Sequence, residues 1–168
     1  NWQDLIYTPG TMTNHQLTVT GGTDITQYAF SGGYYKEKGI YPGQNFERYS
    51  IKASIDQQLG KIFKVGINSL NTFTTTNGEG ANPMAAALRS SPLASPYDST
   101  GKLMNAYVPG SASQVWNVLG NFIPGASVEK RKRFGTFTTL YVDVNIAKGL
   151  KYKFNAGTEI RSDVYGSF

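Results

Sequence analysis

Hydrophobic and polar positions alternate with period two along most of this chain, which is the signature of strands with one apolar and one polar face. From Leu150 to Arg161, Leu150, Tyr152, Phe154, Ala156 and Ile160 share one face with Thr158, and Lys151, Lys153, Asn155, Glu159 and Arg161 take the other. The run before it repeats the pattern, with Leu140, Val142, Val144 and Ile146 against Tyr141, Asp143 and Asn145. Upstream, Tyr49, Ile51, Ala53 and Ile55 oppose Ser50, Lys52, Ser54 and Asp56, while Leu17 and Val19 alternate with Gln16, Thr18 and Thr20. The pattern predicts six strands, over about 12–21, 25–36, 45–58, 61–76, 131–147 and 149–162. In the fourth, Ile67 is odd and Leu70 even, so a bulge near Asn68 and Ser69 is expected to restore the apolar face.

The connections alternate in length. Gly21–Asp24, Leu59–Lys61 and Ala147–Gly149 are tight, Glu37–Gln44 is medium, and the stretch 77–130 is very long. Short turns at one end and long loops at the other are the layout of an outer-membrane barrel. Most of the strands exceed the 9–11 residues that a tilted membrane strand needs, and their polar faces carry Lys, Asp, Glu and Arg at mid-strand. The fold class expected is all-β, an antiparallel meander forming part of a transmembrane β-barrel. Six strands do not close such a barrel, since the smallest have about eight, and lipid does not tolerate an open edge. Either further strands lie outside this sequence or other chains complete the barrel, and the abrupt ends favour the first. Neither end looks like a natural terminus.

Composition narrows the function. The 168 residues contain no cysteine and one histidine, His15, which excludes disulfides, thiolate metal sites and histidine-based triads. Only 16% of residues are charged, against about 25% in ordinary soluble domains. The net charge of +5 is modest and its one dense run, Glu129–Arg133, is short, so no nucleic-acid partner is expected. No nucleophile–base pair and no metal cluster emerges, so no catalytic residue, cofactor or metal is expected. Tyr28, Tyr34, Tyr49 and Tyr152 fall on apolar faces, as the aromatic girdles of a membrane barrel do.

Several phrases resemble one family, the SusC/RagA-type TonB-dependent outer-membrane transporters. Asn1-Trp2-Gln3-Asp4-Leu5-Ile6-Tyr7 resembles the segment just after that family's plug domain, and Asn14-His15-Gln16-Leu17-Thr18-Val19-Thr20-Gly21-Gly22-Thr23 its first barrel strand and turn. Tyr28-Ala29-Phe30-Ser31 with Gly39-Ile40 resembles the family's second strand and its exit, and Asn45-Phe46-Glu47-Arg48-Tyr49-Ser50 the start of its third. Asn82-Pro83-Met84 through Pro92, with Pro96-Tyr97-Asp98 and Gly101, looks like its long second outer loop, and Lys148-Gly149-Leu150-Lys151-Tyr152-Lys153-Phe154 like a later turn and strand.

The resemblance implies residues 1–11 after a plug outside this sequence, residues 12–168 as the N-terminal part of a 22-stranded barrel, and an extracellular loop at about 77–130. It also implies the bacterial outer membrane, a SusD-like surface lipoprotein as lid, and energy from TonB through the missing plug and TonB box. The function expected is import of oligosaccharides or peptides. A passive porin and a soluble carbohydrate-binding β-sandwich are the alternatives.

Candidate contact residues come from position. Met84–Arg89 is expected to form a short helix after Pro83, and Arg89, Tyr97, Tyr107 and Trp116 offer a donor and stacking faces to a lid, plug or ligand. Counting back from Ile146 through Val144, Val142 and Leu140 sends Lys130 and Lys132 outward above the apolar band, towards lipopolysaccharide, and Arg131 and Arg133 inward.

Overall fold

The computed structural model describes residues 2–78, 83–104, 117–123 and 129–167. Six antiparallel strands form one sheet in the order of the chain: β1 (Thr11–Gly22), β2 (Thr26–Lys38), β3 (Asn45–Leu59), β4 (Phe63–Asn77), β5 (Glu129–Ala147) and β6 (Leu150–Ser167). Each predicted strand is present, and β5 and β6 run further outward than the alternation was followed. The expected meander therefore holds. The sheet is open, with β1 and β6 as its edges. Among the described residues no second sheet covers either face, so the sandwich alternative has no counterpart here.

The turns are local in origin. Lys148 and Gly149 alone join β5 to β6, with Gly149 at φ 86°, a left-handed conformation that glycine adopts without a side-chain penalty. Between β1 and β2 the Thr23 hydroxyl accepts from the Ile25 and Thr26 backbone N–H groups, a side-chain turn of the kind Thr favours.

One expectation fails. The β3–β4 and β4–β5 registers run unbroken through Asn68 and Ser69, so no bulge sits there. Strict alternation therefore places Leu70 on the charged face, opposite Lys52 and Phe137. The sheet's register shift lies instead between Asn145 and Ala147, beside the last turn.

Buried apolar side chains occur away from the sheet. Helix α1 (Trp2–Ile6) packs with α2 (Met84–Arg89) and a 3-10 turn, Val118–Phe122, around Trp2, Ile6, Ala87, Val118 and Leu119. The predicted helix after Pro83 is thus present. This cluster lies at the long-loop end, where Tyr7 stacks on Tyr41 at 5.5 Å and the Thr8 amide donates to the Ile40 carbonyl at 2.7 Å. The segment that the resemblance puts just after the plug therefore packs with the elements of the long loop.

Candidate functional site

The register sorts the strands into tiers that cross the sheet. On the apolar face, Tyr34, Tyr49, Phe73 and Phe134 fall in one tier, directly across from one another on β2 to β5. Tyr34 and Tyr49 are 5.0 Å apart. Five tiers lower, Phe63, Val144 and Tyr152 are aligned in the same way. The ten residues from Phe63 to Phe73 rise about 34 Å along a strand, or about 26 Å once tilted by about 40°. A membrane barrel carries an apolar band of about 25 Å between two aromatic girdles. The tiers between hold exposed Val19, Phe30, Ile51, Ile55, Ile67 and Leu140. An apolar surface of this extent, solvent-exposed in a single sheet, is what lipid would cover. Tyr28 leans along the wall from within the band, its hydroxyl over Gly21 next to the short turn. His15 is exposed on this face opposite Tyr34, as an interfacial wall residue.

The polar face carries two ionic networks. Near the short turns, the Tyr141 hydroxyl donates to Asp56 Oδ1 at 2.6 Å, Lys64 Nζ sits 3.6 Å from Asp56 Oδ2, and Lys153 Nζ lies 3.5 Å from Asp143 Oδ1. Lys64 and Lys153 both stand 5.9 Å from the Tyr141 ring centre. Near the long loop, Arg131 Nε donates to both oxygens of Asp163 at 2.9 Å, and Arg133 Nε adds a contact at 3.2 Å. Arg161 pairs with Glu159 at 2.6 Å. These contacts put Lys153, Glu159, Arg161, Arg131 and Arg133 on the face opposite Tyr152, Phe154 and Ile160, as the alternation predicts.

Between the networks, Gly33, Ser50, Thr72 and Gly135 make a tier of small side chains. Below it stands the island formed by Leu70 and Phe137, 41% and 50% exposed. A hollow of about 180 Å³ lies here, lined by Gly33, Ser50, Arg48, Tyr35, Lys52 and Leu70 among others. Arg48 stacks 5.2 Å over the Tyr35 ring, and Lys52 has no carboxylate partner among the described residues. Sequence reasoning missed the island; the signal was that Leu70 and Phe137 break parity on strands that pair. It also missed Asp163, which lies one residue beyond the expected end of the last strand at 162.

The long loop is braced by polar contacts. Trp2 Nε1 donates to the Ser91 carbonyl at 2.9 Å. Asn117, 2% exposed, donates to the carbonyls of Pro96 at 2.9 Å and Met104 at 2.7 Å, and accepts from Leu119 N–H. Arg89 and Tyr97 stand exposed on this loop, as do Leu88 and Leu93. Tyr107 and Trp116 lie outside the described residues. Among the described residues, no group of three or more His, Asp or Glu side chains could hold a metal ion.

TonB-dependent receptor P3 of Formosa agariphila is 28% identical to this chain over 184 residues, covering all of the chain and 17% of the receptor. The resemblance to SusC/RagA-type TonB-dependent receptors is borne out. Receptor P26 of the same organism is 23% identical over 80% of the chain. No protein-family model matches. Among solved structures, the fold matches a chain of the RagAB peptide transporter with a TM-score of 0.79, and one of the RagAB peptide importer in its closed-closed state with 0.78. Both are 19% identical, covering 99% of this chain and 19% of theirs. The chain thus spans under one fifth of these relatives. Its six-stranded meander has the fold of a segment of those chains.

Proposed function

We propose that this chain is the wall and one outer loop of an energised outer-membrane importer. The observation that carries the reading is the two-faced meander, apolar over about one membrane thickness outside and ionic inside, in a chain similar along its whole length to TonB-dependent receptors. A plug seated inside would meet the Leu70–Phe137 island and the small-residue tier, and TonB would act through that plug.

The exposed loop residues Leu88, Arg89, Leu93 and Tyr97 are the ones we assign to contact with a SusD-like lipoprotein lid. Leu93 is 96% exposed there, and partly apolar, Arg- and aromatic-bearing surfaces are what interfaces use. The cargo class is oligosaccharides or peptides too large for open pores.

The test uses the full-length protein in its own outer membrane. Uptake of a labelled oligosaccharide or peptide mixture is measured with TonB intact and with the TonB box deleted. Loss of uptake on deletion supports the importer; unchanged uptake identifies a passive porin instead. Co-purification of the lipoprotein, weakened by Leu93→Asp, checks the lid.

A further inference from the structure

The two tiers above the upper aromatic girdle, on the lipid side, are rich in lysine. The first brings Lys36, Glu47 and Lys132 into line across β2 to β5, with Thr75 between Glu47 and Lys132. The second aligns Lys38, Asn45, Asn77 and Lys130. Lys36 is neutralised by Glu47, at 2.9 Å. Lys38, Lys130 and Lys132 are exposed and have no carboxylate partner among the described residues. Lys130 and Lys132 are neighbours on the same face of β5 and Lys38 stands on that face at β2, so the uncompensated cations give this rim a positive field that favours an anion.

Height identifies which anion. Each tier stands about 7 Å further along the strand, or about 5 Å higher once tilted. The lysines therefore lie about 5 and 10 Å above the girdle, and the interfacial layer on each side of the hydrocarbon is of about that depth. Lys38 and Lys130 are separated by three strand spacings, about 14 Å, and Lys132 is the next outward residue below Lys130. Between Lys38 and Lys130, Asn77 Nδ2 donates to Asn45 Oδ1 at 2.6 Å, which leaves the Asn45 amide nitrogen to donate to a ligand. Lysines on flexible stems around an amide donor suit phosphate oxygens. The surface is continuous with the lipid-facing wall, so its occupant is a lipid.

We propose that Lys38, Lys130 and Lys132 form a site on the outside of the barrel for the phosphates of an outer-leaflet glycolipid, lipopolysaccharide. The proposal rests on the barrel reading and adds Lys38 and the Asn45–Asn77 pair to the two lysines expected from sequence.

The test reconstitutes the full-length protein in phosphatidylcholine vesicles containing either phosphorylated or dephosphorylated lipid A. Lipid A retained after extraction into mild detergent is counted by native mass spectrometry. The wild type retains the phosphorylated form about tenfold better, a difference of about 1.4 kcal/mol. The triple variant Lys38→Gln, Lys130→Gln, Lys132→Gln loses that preference, whereas Lys52→Gln, on the opposite face, keeps it. Equal retention of the two forms by a wild type that migrates as a folded, heat-modifiable barrel overturns the lipid site alone. Failure to insert into vesicles overturns the barrel reading and the site with it. Full displacement of lipid A by millimolar inorganic phosphate identifies a free-anion site and overturns the assignment to lipid.

Discussion

The ring of Tyr141 lies across Gly66, its partner in the β4–β5 register, and its hydroxyl reaches past β4 to Asp56 on β3. A Cβ at Gly66 would collide with the Tyr141 ring and with Asp56 Oδ1. The missing side chain on β4 is thus what lets an aromatic on β5 brace a carboxylate on β3, with Lys64 and Lys153 each 5.9 Å from the centre of its ring. Gly66→Ala is expected to destabilise the wall by about 1–3 kcal/mol, as overpacking does. Tyr141→Phe, which removes only the hydroxyl, is expected to cost about 0.5–1.5 kcal/mol, rising if Asp56 is left underpaired. Urea unfolding midpoints of the full-length protein in vesicles check the order; a Gly66→Ala protein as stable as wild type would contradict the packing.

Facing is checked at neighbouring residues. These 168 residues contain no cysteine, so in a full-length protein with any cysteine elsewhere replaced, Lys153→Cys and Phe154→Cys each supply a single thiol. Position 154 is expected to be quenched by a lipid-soluble probe and to resist a water-soluble maleimide. Position 153 is expected to behave oppositely once the interior is reached from the short-turn side. Both thiols reacting alike with the aqueous reagent would mean that the apolar face is not in lipid.

Ile67 and Leu70 discriminate between the register observed and the bulge that hydrophobicity alone suggests. Ile67 lies in the outward tier of Ile55 and Leu140, Leu70 in the inward tier of Lys52 and Phe137. Ile67→Arg is expected to cost about 2–4 kcal/mol, the depth-dependent penalty for a charge on the lipid face. Leu70→Arg is expected to cost at most about 1 kcal/mol, from crowding against Lys52. Similar losses at the two positions would restore the bulge.

That pair also marks how far the sequence could be read. Period-two alternation located the strands because lipid on one side and an ionic interior on the other impose opposite chemistry on successive residues, as at Phe154 and Lys153. It failed at Leu70 because an apolar residue facing the interior looks, in one strand alone, like a slip of register. Only pairing resolves it, since Phe137 opposes Leu70 across β4 and β5. The lysine tiers were half legible for the same reason: Lys130 and Lys132 are close in sequence, but their alignment with Lys38 depends on three registers. Asn117 was invisible, because the carbonyls it satisfies belong to residues 21 and 13 positions away.

Acid should loosen one turn of the outer loop. Asp98 Oδ1 accepts from the Thr100 hydroxyl at 2.7 Å, the Thr100 N–H at 2.8 Å and the Lys102 N–H at 2.9 Å. These bonds, that from the Thr100 hydroxyl foremost, hold its carboxyl below the ordinary carboxylate value. A carboxyl whose folded value is depressed stabilises the turn at pH above its unfolded value and loses that contribution as pH falls through the folded one. Hydrogen exchange at Thr100 and Lys102, corrected for its intrinsic pH dependence, is therefore expected to lose protection below about pH 4. Asp98→Asn is expected to show reduced protection with no such pH step; a step that survives in the variant would assign it to another group.

Loop and wall are expected to fail separately. Asn117 is buried beside the cluster of Trp2, Ile6, Ala87, Val118 and Leu119, and its single side chain ties together the Pro96, Met104 and Leu119 backbones. Asn117→Ala would leave the buried Leu119 N–H without its acceptor and the Met104 carbonyl without this donor, while the Pro96 carbonyl would keep only the Met104 N–H. Unsatisfied buried groups cost about 1–3 kcal/mol, a sum that a small cluster of five buried apolar side chains cannot absorb. Trp2→Phe keeps most of the apolar ring area and removes only the bond to Ser91, so it is expected to cost less, about 0.5–1.5 kcal/mol. Among the described residues the side chains packed on the cluster, Tyr7, Tyr41, Ala86, Ala94, Leu103 and Phe122, lie outside the strands, so neither change should alter the barrel. Limited proteolysis is expected to cut the loop of Asn117→Ala much faster than that of Trp2→Phe, while both keep the heat-modifiable mobility of the wild-type barrel. If the barrel destabilises in step with the loop, the loop is a structural part of the wall and not an independently packed surface available to a partner.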